Sequence, residues 1–348
     1  MAEIRGSRGG LPERRWWLAV AVVLIAALAL PNLVGEYPLL QLSVVAILSL
    51  VSMSEGFLWG FVGILSFGQT AFFGLGGYTY TVAALNFDQT TLPLLAAIVL
   101  PALLALVIGY FMIYGRIGDL YLSVITLVVT LILEKAMRAT SGSQYVIGSV
   151  RLNGQNGIPT VPSLAIPWSH GQTLDLTGVF YLSVVCLAIV YVALRLLLQS
   201  RTGRVFVAIR ENDQRAQLLG YDSRVYKLLA FVIAGAVAGF AGALYGVWGN
   251  FVSPDMFSLS QSAQILIWVI VGGRTTLVGP IVGCALIEYL TTALGTAAVG
   301  QVTVIMGLIL MFAVVFFRRG VIPSLGDGAR LLWRHIQSRG ARGANVSQ

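Results

Sequence analysis

Long apolar runs separated by short polar stretches dominate the pattern of this 348-residue chain. The runs are continuous rather than alternating, which favours membrane-spanning helices over the strands of a transmembrane barrel. A bilayer core about 30 Å thick needs about 20 apolar residues per helix. We therefore predict about ten spans, with eight as a lower bound, near residues 16–34, 38–54, 57–85, 92–114, 117–139, 179–199, 225–250, 257–272, 280–295 and 301–317.

Glycine and serine interrupt three of these runs, at 57–85, 257–272 and 280–295. Glycine allows a helix to break and allows two backbones to approach closely. One or more of these runs is therefore predicted to be discontinuous or re-entrant. The predicted fold class is all-α, a polytopic transmembrane helical bundle over residues 16–317, with tails at 1–15 and 318–348.

The composition supports a membrane protein. The chain is 57% apolar and only 10% charged, and its mean hydropathy is +0.85, whereas roughly a quarter of the residues of a soluble domain are charged. The net charge of +8 is typical of basic cytoplasmic loops, so we expect no nucleic-acid partner. Cys186 and Cys284 both lie inside apolar runs, which indicates core residues rather than a disulfide framework.

The distribution of lysine and arginine predicts the orientation in the membrane. With ten spans and a cytoplasmic N-terminus, all of the 22 basic residues except Lys135, Arg138 and Arg151 fall on the cytoplasmic side. This excess is the usual mark of the cytoplasmic face. Both termini and the segment 200–224 are therefore predicted to be cytoplasmic. The Gly- and Pro-rich loop 140–178 is predicted to be external, as a contact for an extracytoplasmic partner or as a simple tether.

The cytoplasmic segment 200–224 is polar and short, and it lies between two predicted spans. Its pattern predicts one helix over 205–219, which Gly220 ends. The small and apolar side of that helix is predicted to consist of Val205, Ile209, Ala216 and Leu219.

Spacing along this segment also predicts two ion pairs, Glu211 with Arg215 and Arg210 with Asp213. A mixed surface of small, apolar and ionic groups suits docking into a groove of another protein. The alternative is an ordinary loop helix. The residues predicted to couple this segment to an ATPase partner are Arg204, Ala208, Arg210, Glu211, Asp213, Arg215 and Gly220.

Glycines recur through the stretch 60–81, and a weaker version of the pattern returns at 271–288. One interpretation is close helix packing. The other is a broken helix beside a translocation path, where hydroxyl and amide groups meet a polar solute. The residues predicted to line such a path are Ser66, Gln69, Thr70, Gly74, Gly272, Gly273 and Glu288.

Groups that carry catalysis are nearly absent from the sequence. The two lysines, Lys135 and Lys227, do not follow glycine, so the chain contains no phosphate-binding loop of the GxxxxGK type. The two histidines, at 170 and 335, do not form a metal-ligand motif. We therefore expect no enzyme activity, no bound cofactor and no metal. Ion coupling usually leaves acidic residues deep in the membrane, and only Glu288 is expected to lie deep.

Three stretches resemble the permeases of branched-chain amino-acid ABC transporters. GILSFGQTAFFGLGGYT resembles their Gly-rich signature, and RTGRVFVAIRENDQRAQLLGYDSRVYKLLAFVIAGAVAGFAGALYG resembles their cytoplasmic coupling segment with the span that follows. FVSPDMFSLSQSAQILIWVIVGGRTTLVGPIVGCAL resembles the downstream region. Together these stretches lie within about residues 45–320. The long outer loop with NGQNGIP and the first span are similar to the LivM-type rather than the LivH-type member of the permease pair.

The resemblance implies a type II-importer-like permease of the bacterial inner membrane that works by alternating access. It implies a sister permease as heterodimer partner and two cytoplasmic ATPase subunits, which bind the ATP and magnesium. It also implies a periplasmic binding protein that delivers branched-chain amino acids, with the lipid bilayer around the permease pair. Relatives with this architecture carry urea, short amides or other amino acids, so these solutes stay open. An ion-coupled secondary transporter or channel is a further alternative.

Overall fold

The computed structural model describes residues 30–32, 35–87, 89–165, 174–296, 307 and 311. The predicted spans 16–34 and 301–317 and the two tails lie largely or wholly outside these residues. The helices are α1 (Glu36–Phe57, extended by the π-helical turn Leu58–Val62), α2 (Gln69–Phe87), α3 (Thr91–Tyr114), α4 (Asp119–Ala139), α5 (Leu176–Gln199), α6 (Arg201–Glu211), α7 (Asp213–Leu218), α8 (Ser223–Gly249), α9 (Leu259–Gly272) and α10 (Val278–Thr296), with 3₁₀ turns at Leu30–Asn32, Gly154–Asn156 and Pro254–Phe257.

Extended structure is confined to four two-residue strands in the described part of the chain. In the first antiparallel ribbon, β1 (Val146–Ile147) pairs with β2 (Val150–Arg151). In the second, β3 (Ile158–Pro159) pairs with β4 (Phe251–Val252), which directly follows α8. The first ribbon lies within the outer loop, and the second joins this loop to the end of α8.

Six of the described helices are long and apolar enough to cross a membrane: Glu36–Val62, Thr91–Tyr114, Leu120–Ala139, Leu176–Gln199, Ser223–Gly249 and Val278–Gly295. Helix α9, with 14 residues, is a shorter apolar helix. The polytopic helical class is therefore confirmed, and the number of ten spans stays a prediction. Apart from 38–54 and 57–85, the predicted bounds of the spans within the described residues agree with the structure to within about three residues.

The centre of the bundle is a close contact of α8 with α2 and α3. Glycine permits this contact because the backbones touch: a Cβ atom on Gly242 would lie 1.8 Å from the carbonyl oxygen of Phe73, and one on Gly76 would lie 2.0 Å from that of Gly239. Phe72 and Phe231 meet edge to face beside this seam, with ring centroids 5.5 Å apart. Helix α1 packs on the other side, against α5, α8 and α10.

The predicted boundary between spans 38–54 and 57–85 is wrong. Helix α1 runs through Glu55 and Gly56 without interruption and continues as a π-helical turn to Val62. Both residues are buried inside the bundle, where the Gly56 backbone faces the ring of Pro280. The chain breaks later, at Gly63, whose φ is +90°. The discontinuity predicted within 57–85 is confirmed, and it falls at residues 63–68.

The helix ends gather at two opposite ends of the bundle. At the coupling end, named for the segment 200–224, the guanidinium of Arg274 lies 5.2 Å from the ring centre of Trp59 and that of Arg224 lies 5.9 Å from the ring centre of Tyr114. At the loop end, Asn86 donates to the carbonyl of Ile147 over 3.0 Å. This grouping agrees with the predicted order in which the chain passes back and forth through the bundle.

Candidate coupling and translocation site

The segment 200–224 folds as two short helices rather than the single predicted helix. Asn212 separates α6 from α7, with an extended backbone at φ −163° and ψ 104°. Its side-chain oxygen accepts a hydrogen bond from the Arg215 N–H over 2.9 Å and so caps α7. Ser200 caps α6 in the same way by accepting from the Gly203 N–H over 3.3 Å. The prediction of one helix over 205–219 is therefore wrong.

Gly220 ends α7, as predicted. Its φ is +89°, and its N–H donates to the carbonyl of Gln217 over 2.9 Å. The next N–H, of Tyr221, reaches back to the carbonyl of Ala216 over 3.2 Å. These two bonds form the glycine-terminated end that satisfies the last carbonyl groups of a helix.

The buried side of the coupling segment contains three of the four residues that the pattern predicts. Val205, Ile209 and Ala216 are buried together, but Leu219 is 75% exposed. Because the break at Asn212 starts α7 in a new direction, a single helical periodicity does not extend across both helices. The exposed apolar residues at the end of α7 form what we call the apolar tip, which consists of Leu218 (87% exposed), Leu219 and Tyr221 (43% exposed).

The ion pairs also differ from the predicted ones. Arg210 pairs with the adjacent Glu211 over 2.6 Å, and Lys227 of α8 pairs with Asp213 over 2.8 Å. The predicted pairs, Glu211 with Arg215 and Arg210 with Asp213, assumed an unbroken helix through Asn212. The Lys227 pair instead joins the start of α7 to α8, so it fixes the segment to the bundle.

Both carboxylates in these pairs are stabilised in the ionised form. The hydrogen bond from Arg210 lowers the pKa of Glu211 below its usual value. Partial burial acts to raise the pKa of Asp213, but hydrogen bonds from Lys227 and neighbouring groups outweigh burial and lower it. Both groups are therefore charged at neutral pH.

A pocket of about 340 Å³ lies between the coupling segment and the end of α1. Residues 62–64 form one wall, residues 209–214 form the opposite wall, and Lys227 completes the lining. The pocket therefore opens at the joint between the segment and the broken helix.

Arg210 connects the coupling segment directly to α1. Its guanidinium donates from Nη1 to the carbonyl of Gly60 in the π-helical turn. Deeper in the same contact, the rings of Phe206 and Phe57 meet edge to face, with centroids 5.8 Å apart. Phe206 also lies against Tyr226 of α8, at 6.2 Å. A displacement of α6 would therefore shift the contacts at the end of α1 and at the start of α8.

Residues 63–68, which we call the re-entrant segment, run from the coupling end back into the bundle, where α2 begins. Side chains satisfy three of its amide groups. The Ser66 N–H donates to Glu55 Oε1 over 3.1 Å, the Phe67 N–H to Thr126 Oγ1 over 3.2 Å, and the Gly68 N–H to the Ser66 hydroxyl over 3.0 Å. Irregular backbone at membrane depth requires such partners, because lipid offers none.

The carbonyl groups of the re-entrant segment are satisfied in the same manner. Ser123 of α4 donates to the carbonyl of Leu65 over 2.8 Å. The carbonyl of Phe67 accepts from Thr130 over 3.3 Å and from Ser262 of α9 over 3.2 Å. The polar stripe of α4 therefore faces the broken backbone, which explains why this otherwise apolar helix carries hydroxyl groups on one side.

Three of the predicted path residues meet at the start of α2. Ser66, Gln69 and Thr70 are each at most 1% exposed. Thr70 Oγ1 lies 2.5 Å from the hydroxyl of Ser262, and the Gln69 side-chain carbonyl accepts from Ser54 over 3.2 Å. In this conformation these side chains are enclosed within the protein.

The other predicted path residues lie apart from that group. The backbone of Gly74 faces the ring of Phe257. Gly272 and Gly273, with φ +105° at the latter, form the turn between α9 and α10 at the coupling end. Glu288 is half-buried on α10 and accepts from Gln264 of α9 over 3.2 Å. Whether these residues contact a solute stays a prediction.

Several residues that organise the site were missed by the sequence reasoning. Only Glu288 was expected to lie deep, but Glu55 is fully buried, seven residues before Val62. Thr126 and Thr130 recur at helical spacing on α4, a stripe that could have been recognised as the partner of a broken backbone. Among the residues that the structure describes, no three His, Cys, Asp or Glu side chains form a cluster that could hold a metal ion.

Comparisons with known proteins place the chain in a family. Residues 37–317 match the family model described as the permease component of branched-chain amino acid transport systems. The high-affinity branched-chain amino acid transport system permease protein LivM of Escherichia coli K12 is 28% identical over 282 residues, which cover 74% of this chain and 63% of that protein. The Salmonella typhimurium LT2 protein of the same name gives the same identity and coverage.

A more distant relative has the same type of name. The probable branched-chain amino acid transport permease protein LivM of Methanocaldococcus jannaschii is 25% identical over 259 residues, which cover 65% of this chain and 72% of that protein. The chain spans a little under two thirds of the length of the two enterobacterial relatives. No solved structure gave a significant match. Since the family model covers most of the chain and the described helices are apolar and membrane-spanning in length, the chain is a multi-pass membrane protein of the branched-chain amino acid transport permease family.

Proposed function

We propose that this chain is the permease subunit of an ATP-binding-cassette importer that moves branched-chain amino acids across the bacterial inner membrane by alternating access. The observation that carries the proposal is the coupling segment. Its inner side is fixed to α1 and α8 by the Arg210 and Lys227 contacts, while its outer side presents the apolar tip to solvent. Such a segment is suited to transmit movement from a partner that binds the tip.

The proposed partner at the tip is a cytoplasmic ATPase subunit. Leu218 and Leu219 are adjacent large apolar side chains that are 87% and 75% exposed, and exposed apolar patches mark surfaces for protein interaction. Around them, Glu211 and Arg215 provide exposed charges that can set the register of docking. The sequence contains no phosphate-binding loop, so in this proposal ATP and magnesium bind to two such ATPase subunits and the energy reaches the permease mechanically.

The remaining proposed partners are a sister permease, as heterodimer, and a periplasmic binding protein. Helices α3 and α4 expose apolar side chains along their length, among them Leu103, Val107, Val128 and Ile132, which lipid or a second permease would cover. The ribbons and the 3₁₀ turn at the loop end provide the surface for the binding protein. In this arrangement both termini and the coupling segment face the cytoplasm, in agreement with the basic residues at the coupling end.

Among the residues that the structure describes, the proposed conduit carries no strong charge pair for a zwitterionic amino acid. The hydroxyl groups of Ser66, Thr126 and Ser262 are already bonded to the broken backbone. We therefore assign the selectivity mainly to the binding protein, and propose that the permease pair opens and closes a weakly polar path.

Reconstitution of the whole transporter tests this function. The chain, the sister permease and the two ATPase subunits are placed in proteoliposomes with the binding protein, and the uptake of labelled leucine, isoleucine and valine is measured with and without ATP. ATP-dependent uptake of these amino acids is expected. Uptake of urea or short amides in their place would refute the substrate, and gradient-driven uptake by the chain alone would refute the importer.

A further inference from the structure

We infer that the re-entrant segment 63–68 is the mechanical link between the coupling segment and α2, and that Glu55 is the positioning residue that holds this link to α1. The inference rests on the proposed function, because it describes how movement of the coupling segment reaches the bundle. It assigns a role to Glu55 and to the break itself, rather than to the docking surface.

The outer end of the link contacts the coupling segment. The carbonyl of Gly60 accepts from Arg210, and the next turn ends at Gly63, whose Cα packs on the Arg210 side chain: a Cβ atom there would lie 3.2 Å from Arg210 Cγ. Arg210 was predicted to face an ATPase, yet its guanidinium points inward to the permease. It is therefore placed to displace the end of α1 together with the start of the re-entrant segment.

The inner end of the link is fixed by Glu55. The side chain is fully buried, and its Oε1 atom accepts the Ser66 N–H over 3.1 Å. Three residues later α2 begins at Gln69, which is itself bonded to Ser54, the neighbour of Glu55. One short piece of chain thus connects Arg210 at the coupling end to the first turn of α2 inside the bundle.

The hydrogen bonds of this region allow it to move as a unit. The amides of Ser66, Phe67 and Gly68 are held by side chains, so the segment can shift without unravelling a helix. The Glu55 carboxylate also interacts with the Gln69 side chain at the start of α2, although Glu55 Oε2 and Gln69 Nε2 do not reach regular hydrogen-bond geometry with each other in this conformation. The carboxylate therefore contacts both the re-entrant segment and the first residue of α2.

Two substitutions of Glu55 separate this role from a structural one. Glu55→Leu removes the acceptor, whereas Glu55→Gln keeps an oxygen for the Ser66 N–H. Glutamine at position 55 replaces one carboxylate oxygen by an NH₂ donor beside the Gln69 amide. Because Ser54 can accept from Gln69 as well as donate to it, the Gln69 amide can rotate to present either its oxygen or its nitrogen to residue 55. The matched control is Ser43→Ala, which removes a buried hydroxyl of α1 whose bond within the described structure is to its own helix, at the carbonyl of Leu39.

The measurement is the number of solute molecules transported per ATP hydrolysed by the reconstituted complex. We expect Glu55→Leu to keep ATP hydrolysis within about twofold and to lower this ratio about tenfold or more, because the unmade bond leaves a buried donor unpaired. Glu55→Gln and Ser43→Ala are expected to retain most of the ratio. An unchanged ratio in Glu55→Leu would overturn the inference, as would a glutamine variant that is as defective as the leucine variant.

Arg210 provides a second test, which holds even where Glu55→Leu fails to assemble. Arg210→Ala is expected to lower the transport ratio below that of Glu211→Ala, which loses the same ion pair but keeps the Arg210 bond to Gly60, with partial rescue in Arg210→Lys. In the double variant with Glu55→Leu, the loss should not exceed that of the more defective single variant, since both substitutions interrupt one link. The link would be excluded if the losses of the two single variants multiplied in the double variant. It would also be excluded if Arg210→Ala left the transport ratio unchanged.

The two proposals fail in different ways. A wild-type complex without ATP-driven uptake would refute the proposed function. A wild-type complex that transports normally, together with a Glu55→Leu complex that transports equally well per ATP, would refute only the link.

Discussion

Removal of the apolar tip is the most informative single perturbation of the coupling segment. The double substitution Leu218→Ser with Leu219→Ser leaves the fold untouched, because these side chains are 87% and 75% exposed. Gly220 still ends α7, and Asn212 still begins it. Any effect on the assembled transporter must therefore come from what the tip contacts beyond the residues that the structure describes.

The expected loss of docking free energy follows from the exposed apolar area of the two leucine side chains. Full burial of a leucine side chain contributes about 1.5–3 kcal/mol relative to leaving it in water. If an ATPase groove covers most of the exposed part of both residues, their loss weakens docking by about 2–4 kcal/mol, since some of the gain is offset by ordering of the side chains. This corresponds to an affinity about 30- to 700-fold lower.

The assay is a titration of purified ATPase subunits onto the solubilised permease pair, with the thermal stability of the free pair measured in parallel. Leu218→Met with Leu219→Met serves as the control, because methionine keeps the apolar surface and nearly the volume. We expect near-normal affinity for the methionine variant and unchanged thermal stability for both. If the serine variant binds the ATPase as tightly as the wild type does, the tip is not the docking surface.

The remaining predictions concern the packing of α8 and the attachment of α7. Gly242→Ala places a Cβ atom 1.8 Å from the carbonyl oxygen of Phe73, so the helices must separate. We expect a loss of about 1–3 kcal/mol or more, seen as a lower Tm, whereas Gly249→Ala, in open space on the same helix, should be neutral or slightly stabilising. Asp213→Asn breaks the pair with Lys227 and should cost about 0.2–1 kcal/mol. Because the folded pKa of Asp213 is lowered, this difference should be constant from about pH 5 to 8, begin to shrink below about pH 3.9, and vanish once the pH falls through the lower folded pKa. A loss on raising the pH instead would contradict the assignment.

The spans were predictable because each depends on one long apolar run that ends at a local signal. Helix α3 ends before Gly115, and α8 ends at Gly249 with Asn250 in the left-handed region, as the pattern indicates. The boundary after residue 54 was not predictable in this way. A carboxylate next to glycine usually marks the end of an apolar helix, but here Glu55 has a buried partner, the Ser66 N–H, that appears only when the chain folds back.

The structure of the coupling segment was also only partly predictable from its local sequence. Its location and its end at Gly220 follow from local sequence. The ion pairs do not, because the extended backbone of Asn212 cancels the four-residue spacing between Glu211 and Arg215. The pair that forms instead, Asp213 with Lys227, depends on how α7 packs against α8.

The polar residues of the predicted path show why function was harder to predict than fold. Ser66 and Thr70 were singled out as polar groups in an apolar region. In the structure they hydrogen-bond to the broken backbone or to neighbouring hydroxyls. A sequence gives the positions of such groups, but the Thr70 hydroxyl has its partner on α9, about 190 residues away, and the Phe67 N–H beside Ser66 has its partner on α4, about 60 residues away.

The central claim, that a cytoplasmic ATPase binds the coupling segment, is tested most directly by labelling one residue. Leu218→Cys is introduced into a chain in which Cys186 and Cys284 are replaced, and a membrane-impermeant maleimide is added to inside-out and right-side-out vesicles with and without the ATPase subunits. We predict rapid labelling only in inside-out vesicles, with strong protection once the ATPase is bound. Labelling from the opposite side, or at the same rate with and without the ATPase, would contradict the account.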